Sequence, residues 1–392
     1  VAAVIELRHT FQSVNSDVSM ATVYLHIGAP KTATSTLQHV LANNYKRLLK
    51  SGVLYPRDVG HGSAHHTLVC DLMEAHRGQT MPDIWYGDIP RGQSWALLQA
   101  EMKRHENTIH SVIISSELFF GQIHELDSIL KDISTRLQGH HIRVIVYLRR
   151  QDQLYSSFYN QDVKGIRQWS NSAYEFYQTH QIFEYGYHYV MNIWSNAFGR
   201  GNIIIRPFES AQWPRGGIVK DFSNSIGVVS LHGSNIENNE SLGMIQLYVK
   251  RCLNKVGFSK HLNEEVLKIL YKICPEKPVK GCLYIHRTLY TKYREQWLQD
   301  NRFLSNDYLE QAELFSQPIP EAAVLKMYEI DRFITALYVR NMFDIFKQGR
   351  YRKFRQLFSK ATLLVLAEQN LWNALAANER PLLLEWATAI EQ

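Results

Sequence analysis

The stretch "HIGAPKTATSTLQ" places Gly28, Pro30 and Lys31 directly after an apolar run and follows them with hydroxyls at Thr32, Thr34, Ser35 and Thr36. A glycine after a strand lets the backbone turn sharply. A helix starting at such a turn offers free N–H groups and the positive end of its dipole, which favour a phosphate. Lys31 to Thr36 read as that helix start. Gly28, Lys31, Thr32, Ala33, Thr34, Ser35 and Thr36 then line an anion cradle in which Lys31 adds a point charge. An ATP-binding loop would read GxxxxGK[ST]. Here Pro30 precedes the lysine and Gly28 lies three residues before it. No strand ends in the paired acidic residues expected to organise Mg²⁺. The loop is suited to a phosphate that needs no metal. A plain strand–loop–helix with a surface lysine remains the alternative on this segment alone.

A second set lies in "VIVYLRRQDQLYSSFYNQDVKG", where Arg149 ends a strand and Ser157 follows eight residues later. Arginine and serine facing one crevice make a site for a second phosphate. The alternative is that Arg149 or Arg150 pairs with an acid at the strand end. Groups that could move a proton near neutral pH come from "HGSAHHTL" (His61, His65, His66) and from "SSE" (Glu117). The histidines could equally belong to a polar surface loop. A zinc site among them lacks an acidic or thiol ligand, so no metal is expected. Trp85, Tyr86, Trp95 and Trp169 fall between the core elements and offer faces for a sugar, a phenol or an ordinary core.

The elements that must position these groups are legible as apolar runs. Strands are expected at 21–27, at "VLYP", at 110–119, at 141–150 and at 202–209. Helices are expected over "STLQHVLANNYKRLLKSG", stopped by Gly52, and from Gln151 onward. Alternating strands and helices predict an α/β fold, a P-loop-like parallel β-sheet flanked by helices. Right-handed crossovers bring the strand ends to one edge, where ligands of such sheets gather. From about residue 240 the chain reads as mostly helical. Residues 1–19 read as an extension, 20–318 as the main domain and 319–392 as a helical C-terminal extension.

The 392 residues carry a net charge of +6, with 45% hydrophobic and 20% charged residues. That surplus suits an anionic ligand and falls short of a nucleic-acid coat. No apolar run reaches the roughly 18 residues of a membrane span. The first residues lack a basic, then apolar, leader pattern, so a cytoplasmic protein is expected, or one peripheral to the inner membrane. Four cysteines make no disulfide framework. "CPEKPVKGC" could close a small loop, and separate thiols are the simpler reading. Basic residues in "YKRLLK" and "QGRYRKFRQLFSK" could steer an anionic polymer or line a solvated helix face.

Taken together, "GAPKTATSTLQ" and "VIVYLRRQDQLYSSFYNQ" resemble the two nucleotide-binding motifs of sulfotransferases that use 3′-phosphoadenosine 5′-phosphosulfate (PAPS). The similarity is greatest to the bacterial branch related to carbohydrate sulfotransferases. "GVLYP", "VIISSE", "IIIRPFE", "NNESLG" and "WLQDNRFLSNDYLEQAELF" add support, so the resemblance spans about residues 21–318. Ala33 stands where the family often has glycine, which tolerates a modest change of backbone angle. The resemblance implies PAPS as sulfuryl donor and no required metal. It implies that Thr32 to Thr36 hold the 5′-phosphate, Arg149 and Ser157 hold the 3′-phosphate, and Lys31 stabilises charge on the leaving phosphate. Related enzymes use a histidine or a glutamate as base. His66 is favoured because an imidazole titrates near the working pH, with Glu117 and His65 as the other candidates; Glu117 could instead orient the histidine or Lys31. The implied acceptor is a hydroxyl or amine of a saccharide or glycolipid. The rivals are a P-loop nucleotide-dependent kinase, which would need ATP and Mg²⁺, and a non-catalytic PAPS-binding module, which would need no base.

Overall fold

The computed structural model describes residues 20–120, 125–171, 173–180, 185–228, 231–233, 241–273, 282–283, 287–309, 311–321 and 326–327. In chain order these hold β1 (Thr22–His26), α1 (Thr34–Asn43), α2 (Tyr45–Lys50), β2 (Val53–Leu54), α3 (His66–Arg77), α4 (Ser94–His105) and β3 (Ser111–Ser115). Next come α5 (Leu126–Arg136), β4 (His141–Leu148), α6 (Gln151–Lys164), α7 (Ala173–Thr179), α8 (Tyr187–Phe198), β5 (Ile203–Pro207) and α9 (Gly217–Ser225). The described C-terminal part holds α10 (Met244–Asn254), α11 (Lys260–Ile273), β6 (Cys282–Leu283), α12 (Arg287–Tyr308) and β7 (Lys326–Met327).

The five strands of the main sheet run in the order β2-β3-β1-β4-β5, all parallel. β1 is central: His26 at its end pairs with Ser115 of β3 and Ile145 of β4. The chain fills one side of β1 with β2 and β3, then crosses to the other with β4 and β5. The crevice at the C-terminal end of β1 is therefore the switch point at which open α/β sheets bind ligands. Both sheet faces are covered, which is why the strands read as near-continuous apolar runs. Val23, Leu25, Val112, Ile114, Val144 and Val146 pack with α3, α4, α5 and α8 on one face. Tyr24, Ile113, Ile145 and Tyr147 pack with α1 and α9 on the other. A third core joins Tyr155 and Tyr159 of α6 to Tyr290 and Trp297 of α12.

The fold is the expected α/β sheet with a helical C-terminal part, to which β6 and β7 add a short parallel pair. Two local expectations fail. The helix after the first loop begins at Thr34, with Lys31 to Ala33 in a turn before it. It also breaks at Asn44, whose side chain donates to the carbonyls of Val40 and His232 at 2.8 Å each and accepts the His232 N–H at 3.1 Å. A distant loop thus competes for groups that would continue the helix. Cys70 and Cys252 are buried, and neither is in a disulfide among the described residues. Cys274, the segment 1–19, residues 328–392 and the basic run at 348–360 lie outside the described residues. No described helix is long and apolar enough to cross a membrane.

Candidate anion and proton-transfer site

The first loop is held by several close contacts. The Ile27 N–H donates to the Ile145 carbonyl at 3.1 Å, tying the loop to β4. Gly28 has φ +30°, and a Cβ there would meet Thr34 Cγ2 at 2.3 Å. Thr32 Oγ1 closes the turn onto the Ala29 carbonyl at 2.6 Å. Lys31 and Ala33 both sit in the left-handed region, at φ 66° and 58°. Such positions cost on the order of 1–3 kcal/mol each and persist where the surroundings dictate them, often at ligand sites. Ala33 therefore does more than tolerate a small change of angle: it holds the conformation a glycine would hold freely. It is also the N-cap of α1, and no side chain caps that end. The first N–H groups of the helix have no intrahelical partner. Thr34 is buried, Thr36 half-buried and Ser35 exposed.

Two cations meet at this loop. Arg149, at the end of β4, donates from Nη1 to the Lys31 carbonyl at 3.2 Å and lies over the Phe208 ring at 5.6 Å. Its Nε is buried with no hydrogen-bond partner. Among the described residues no carboxylate reaches ion-pairing distance of it, and burial pushes its pKa down. Arg150 differs: it grips Asp152 with two bonds of 2.7 and 2.9 Å and donates to the Gln317 and Pro318 carbonyls. The strand-end ion pair exists, but Arg150 makes it. The Lys31 ammonium has no hydrogen-bond or ion-pair partner among the described residues. Burial pushes its pKa down to about 8, with Lys164 and Arg149 adding to the fall and Asp162 and Glu117 opposing it. Ser157 is half-buried on α6, and its hydroxyl has no partner among the described residues.

The tip of β3 is built differently. Ser115 and Ser116 sit at the end of the strand and serve three histidines. Ser115 Oγ bonds His26 Nδ1 at 2.8 Å, and the Ser115 N–H donates to His65 Nδ1 at 3.0 Å. His65 Nε2 then donates to the Pro56 carbonyl at 2.8 Å, which sets its tautomer. Burial holds His65 at a pKa of about 4. His26 is fully buried against Phe222 and Tyr147, and burial lowers its pKa to about 3. His66 opens α3. Its Nδ1 bonds Ser116 Oγ at 2.8 Å. Its Nε2 is 3.9 Å from Glu117 Oε1, too far for a hydrogen bond, and has no other partner among the described residues. Burial lowers the His66 pKa, Glu117 opposes that and His61 adds to it. Glu117 Oε2 accepts from Gln38 of α1 at 2.9 Å, which links the cradle helix to the β3 tip.

Lys31, Arg149, His66 and Glu117 thus line the sheet edge around β1, with His65 behind them as scaffold. His61 is exposed and forms a small bridge with Ala64. No group of three or more His, Cys, Asp or Glu side chains among the described residues is arranged to hold a metal. Gln38, Ser116 and Lys164 were not singled out by the sequence; the doubled serine before Glu117 is the signal that could have found Ser116. Of the four aromatics, Tyr86 and Trp95 are 3% and 1% exposed and take the core alternative. Trp169 is half-buried edge-on to Phe176 and His180. Trp85 is half-buried and meets the His66 ring edge-on, with ring centres 5.0 Å apart.

No family model matches the chain. An "Uncharacterized protein" of Archaeoglobus fulgidus is 25% identical over 275 residues, covering 66% of this chain and 72% of its own. Among solved structures, the chain is similar to a sulfotransferase from Alicyclobacillus acidocaldarius, with a TM-score of 0.34 and 14% identity over 64% of this chain and 95% of that one.

Proposed function

We propose that this protein transfers a sulfuryl group from PAPS to a hydroxyl, or an amine, of a saccharide or glycolipid acceptor. The observation that carries the reading is the convergence of Lys31 and Arg149 on one loop, both without a carboxylate partner among the described residues and the second with a buried Nε that has no partner there. A half-buried cation with an enclosed, unpartnered N–H is costly unless a ligand completes it. The residues fit a nucleotide with phosphates at two places. The loop N–H groups from Thr32 to Thr36 and Lys31 would hold the 5′ end, and Arg149 with Ser157 the 3′ phosphate.

When bound, PAPS supplies the sulfuryl group and a phosphate leaving group. Lys31 offsets charge growing on that phosphate, a contribution that matters most in the transition state. His66 Nε2 is free to accept the acceptor's proton. Ser116 Oγ steadies Nδ1 in both ring states, because a hydroxyl can donate or accept. Glu117, held by Gln38, faces Nε2 and favours the protonated ring once it forms. His65 has both ring nitrogens engaged and is a poor base in this arrangement.

Calorimetry with 3′,5′-ADP, 5′-AMP and MgATP tests the reading. The expected result is 3′,5′-ADP binding without Mg²⁺ and tighter than 5′-AMP by about tenfold to more than a hundredfold, the value of one charge-assisted contact. Equal binding of the two monoadenosine nucleotides overturns the assignment, and preference for MgATP makes the protein a kinase. Labelled PAPS offered to a saccharide and phenol panel identifies the acceptor; binding without transfer to any acceptor or to water would make the chain a sensor.

A further inference from the structure

The segment 82–92, which the proposed chemistry does not use, is clamped against the His66 side of the site. Asp71 of α3 is buried and accepts from three places along the chain. Tyr86 Oη donates to its Oδ1 at 3.0 Å and the Gly92 N–H at 2.7 Å; the Ser94 N–H reaches Oδ2 at 2.9 Å, where the Ser94 hydroxyl also binds. A carboxylate taking several N–H and O–H donors fixes the chain that supplies them. Arg91 adds a second clasp. It bonds Glu74, Asp83 and the Met81 carbonyl and lies over the Tyr86 ring at 4.5 Å. The outcome is a short turn, Asp83–Trp85, whose indole is pressed edge-on to His66 while its neighbour Ile84 is 72% exposed. A half-buried indole against the proposed base offers an aromatic surface on which a ring can be laid.

We infer that Trp85 is the acceptor-specificity residue, a wall against which the ring bearing the acceptor hydroxyl is laid beside His66, and that Asp71 is the positioning residue that holds this wall in place. The inference rests on the reading of His66 as the base side of the site. The ligand chemistry is an apolar ring face, lined with C–H groups in a sugar and with π density in an aromatic. A sugar and a fused aromatic both supply it, whereas a straight-chain alcohol does not. Trp85 also keeps water from His66, so the wall and the base are coupled. The charged or titratable groups acting on His66 are Glu117 beyond β3 and His61 in the preceding loop, with burial the largest influence.

The test uses the full chain with Trp85→Ala, Trp85→Phe and Asp71→Asn, and two readouts. The first is NMR titration of the His66 ring, its signal assigned by loss in His66→Asn. Trp85→Ala and Asp71→Asn should raise its pKa toward the ordinary histidine value of about 6.5, and Trp85→Phe should leave it near the parent. The second is binding of methyl β-D-glucopyranoside, 2-naphthol and 1-propanol by ligand-observed NMR with 3′,5′-ADP present. Trp85→Ala should weaken a ring ligand about tenfold, Trp85→Phe should restore most of it, and 1-propanol should not respond. Which ring ligand responds identifies the source. An unmoved His66 pKa, or ring ligands that bind parent and Trp85→Ala equally or not at all, overturns the inference. The titration needs no nucleotide, so loss of 3′,5′-ADP binding would sink the sulfotransferase reading while leaving the wall to be judged by His66. Should Asp71→Asn fail to fold, the half-exposed Trp85 variants still decide.

Discussion

The loop after β1 and the tip of β3 lie side by side on the sheet edge and treat their polar atoms in opposite ways. At the β3 tip, Ser115, Ser116, His65 and Glu117 each have a protein partner. In the loop, Lys31 and Arg149 are brought together with no carboxylate at ion-pairing distance among the described residues, and the backbone is held left-handed at Lys31 and Ala33. Satisfied polar groups rigidify a structure, whereas strained backbone and unsatisfied groups recur at functional sites. His66 is the exception that joins them, because one nitrogen is anchored like the scaffold and the other left open like the loop.

The sharpest way to break this comparison is at the two adjacent histidines. His66→Ala should lower turnover by about 10²–10⁴-fold and leave 3′,5′-ADP affinity unchanged. His65→Ala should instead destabilise the fold by about 1–3 kcal/mol, since two buried hydrogen bonds lose their partner, with turnover per folded molecule little affected. Transfer assays beside thermal melts check both. If His66→Ala is nearly wild type while Glu117→Gln is dead, the carboxylate is the base and His66 belongs with the scaffold.

Lys31→Ala is next in size. Removal of one preorganised donor at a developing charge costs about 10²–10³-fold in kcat. The acceptor KM should move little. A variant with normal kcat and a raised acceptor KM would put Lys31 on the acceptor rather than on the leaving phosphate.

The two adjacent arginines give a smaller contrast. Arg149→Ala should weaken 3′,5′-ADP by about tenfold to a hundredfold and leave 5′-AMP unchanged. Arg150→Ala should cost stability instead, because it strands the buried Asp152. Equal loss for both nucleotides in Arg149→Ala would mean that the guanidinium only braces the Lys31 carbonyl.

These neighbours show where the sequence stops being legible. The strands were visible because a sheet covered on both faces demands continuous apolar runs, and the motif at Gly28 to Thr36 because few folds place a lysine among hydroxyls at a strand end. Which of Arg149 and Arg150 carries the ion pair was not visible. Successive residues past a strand point different ways, and Asp152 could in principle serve either. The fates of His65 and His66 depend on Ser115 and Ser116, about fifty residues away. The break at Asn44 depends on His232. Each is a tertiary bond overriding a local preference, which no window of sequence contains.

The smallest effect is the pH dependence of nucleotide binding, and it tests the unsatisfied loop most directly. Burial brings the free Lys31 pKa down to about 8, helped by Lys164 and Arg149. Below that pH the free protein already carries the charge, so 3′,5′-ADP binds without taking up a proton and affinity is flat. Above it the free lysine is neutral, while an anionic ligand favours the charged form. Binding must then take up a proton, and affinity falls as pH rises. From pH 7.5 to 9 the protonated fraction of a group with that pKa drops roughly eightfold, and 3′,5′-ADP should weaken by about that factor. Lys31→Arg supplies the control, because a guanidinium stays charged throughout. In that variant the fall between pH 7.5 and 9 should vanish, whatever happens to the absolute affinity. A parent affinity that stays level to pH 9.5 would mean that Lys31 keeps an ordinary pKa and is less enclosed than its neighbours indicate. A fall that persists in Lys31→Arg would transfer the titration to Lys164, whose pKa burial also lowers, and would move the centre of the charged region from the loop to the end of α6.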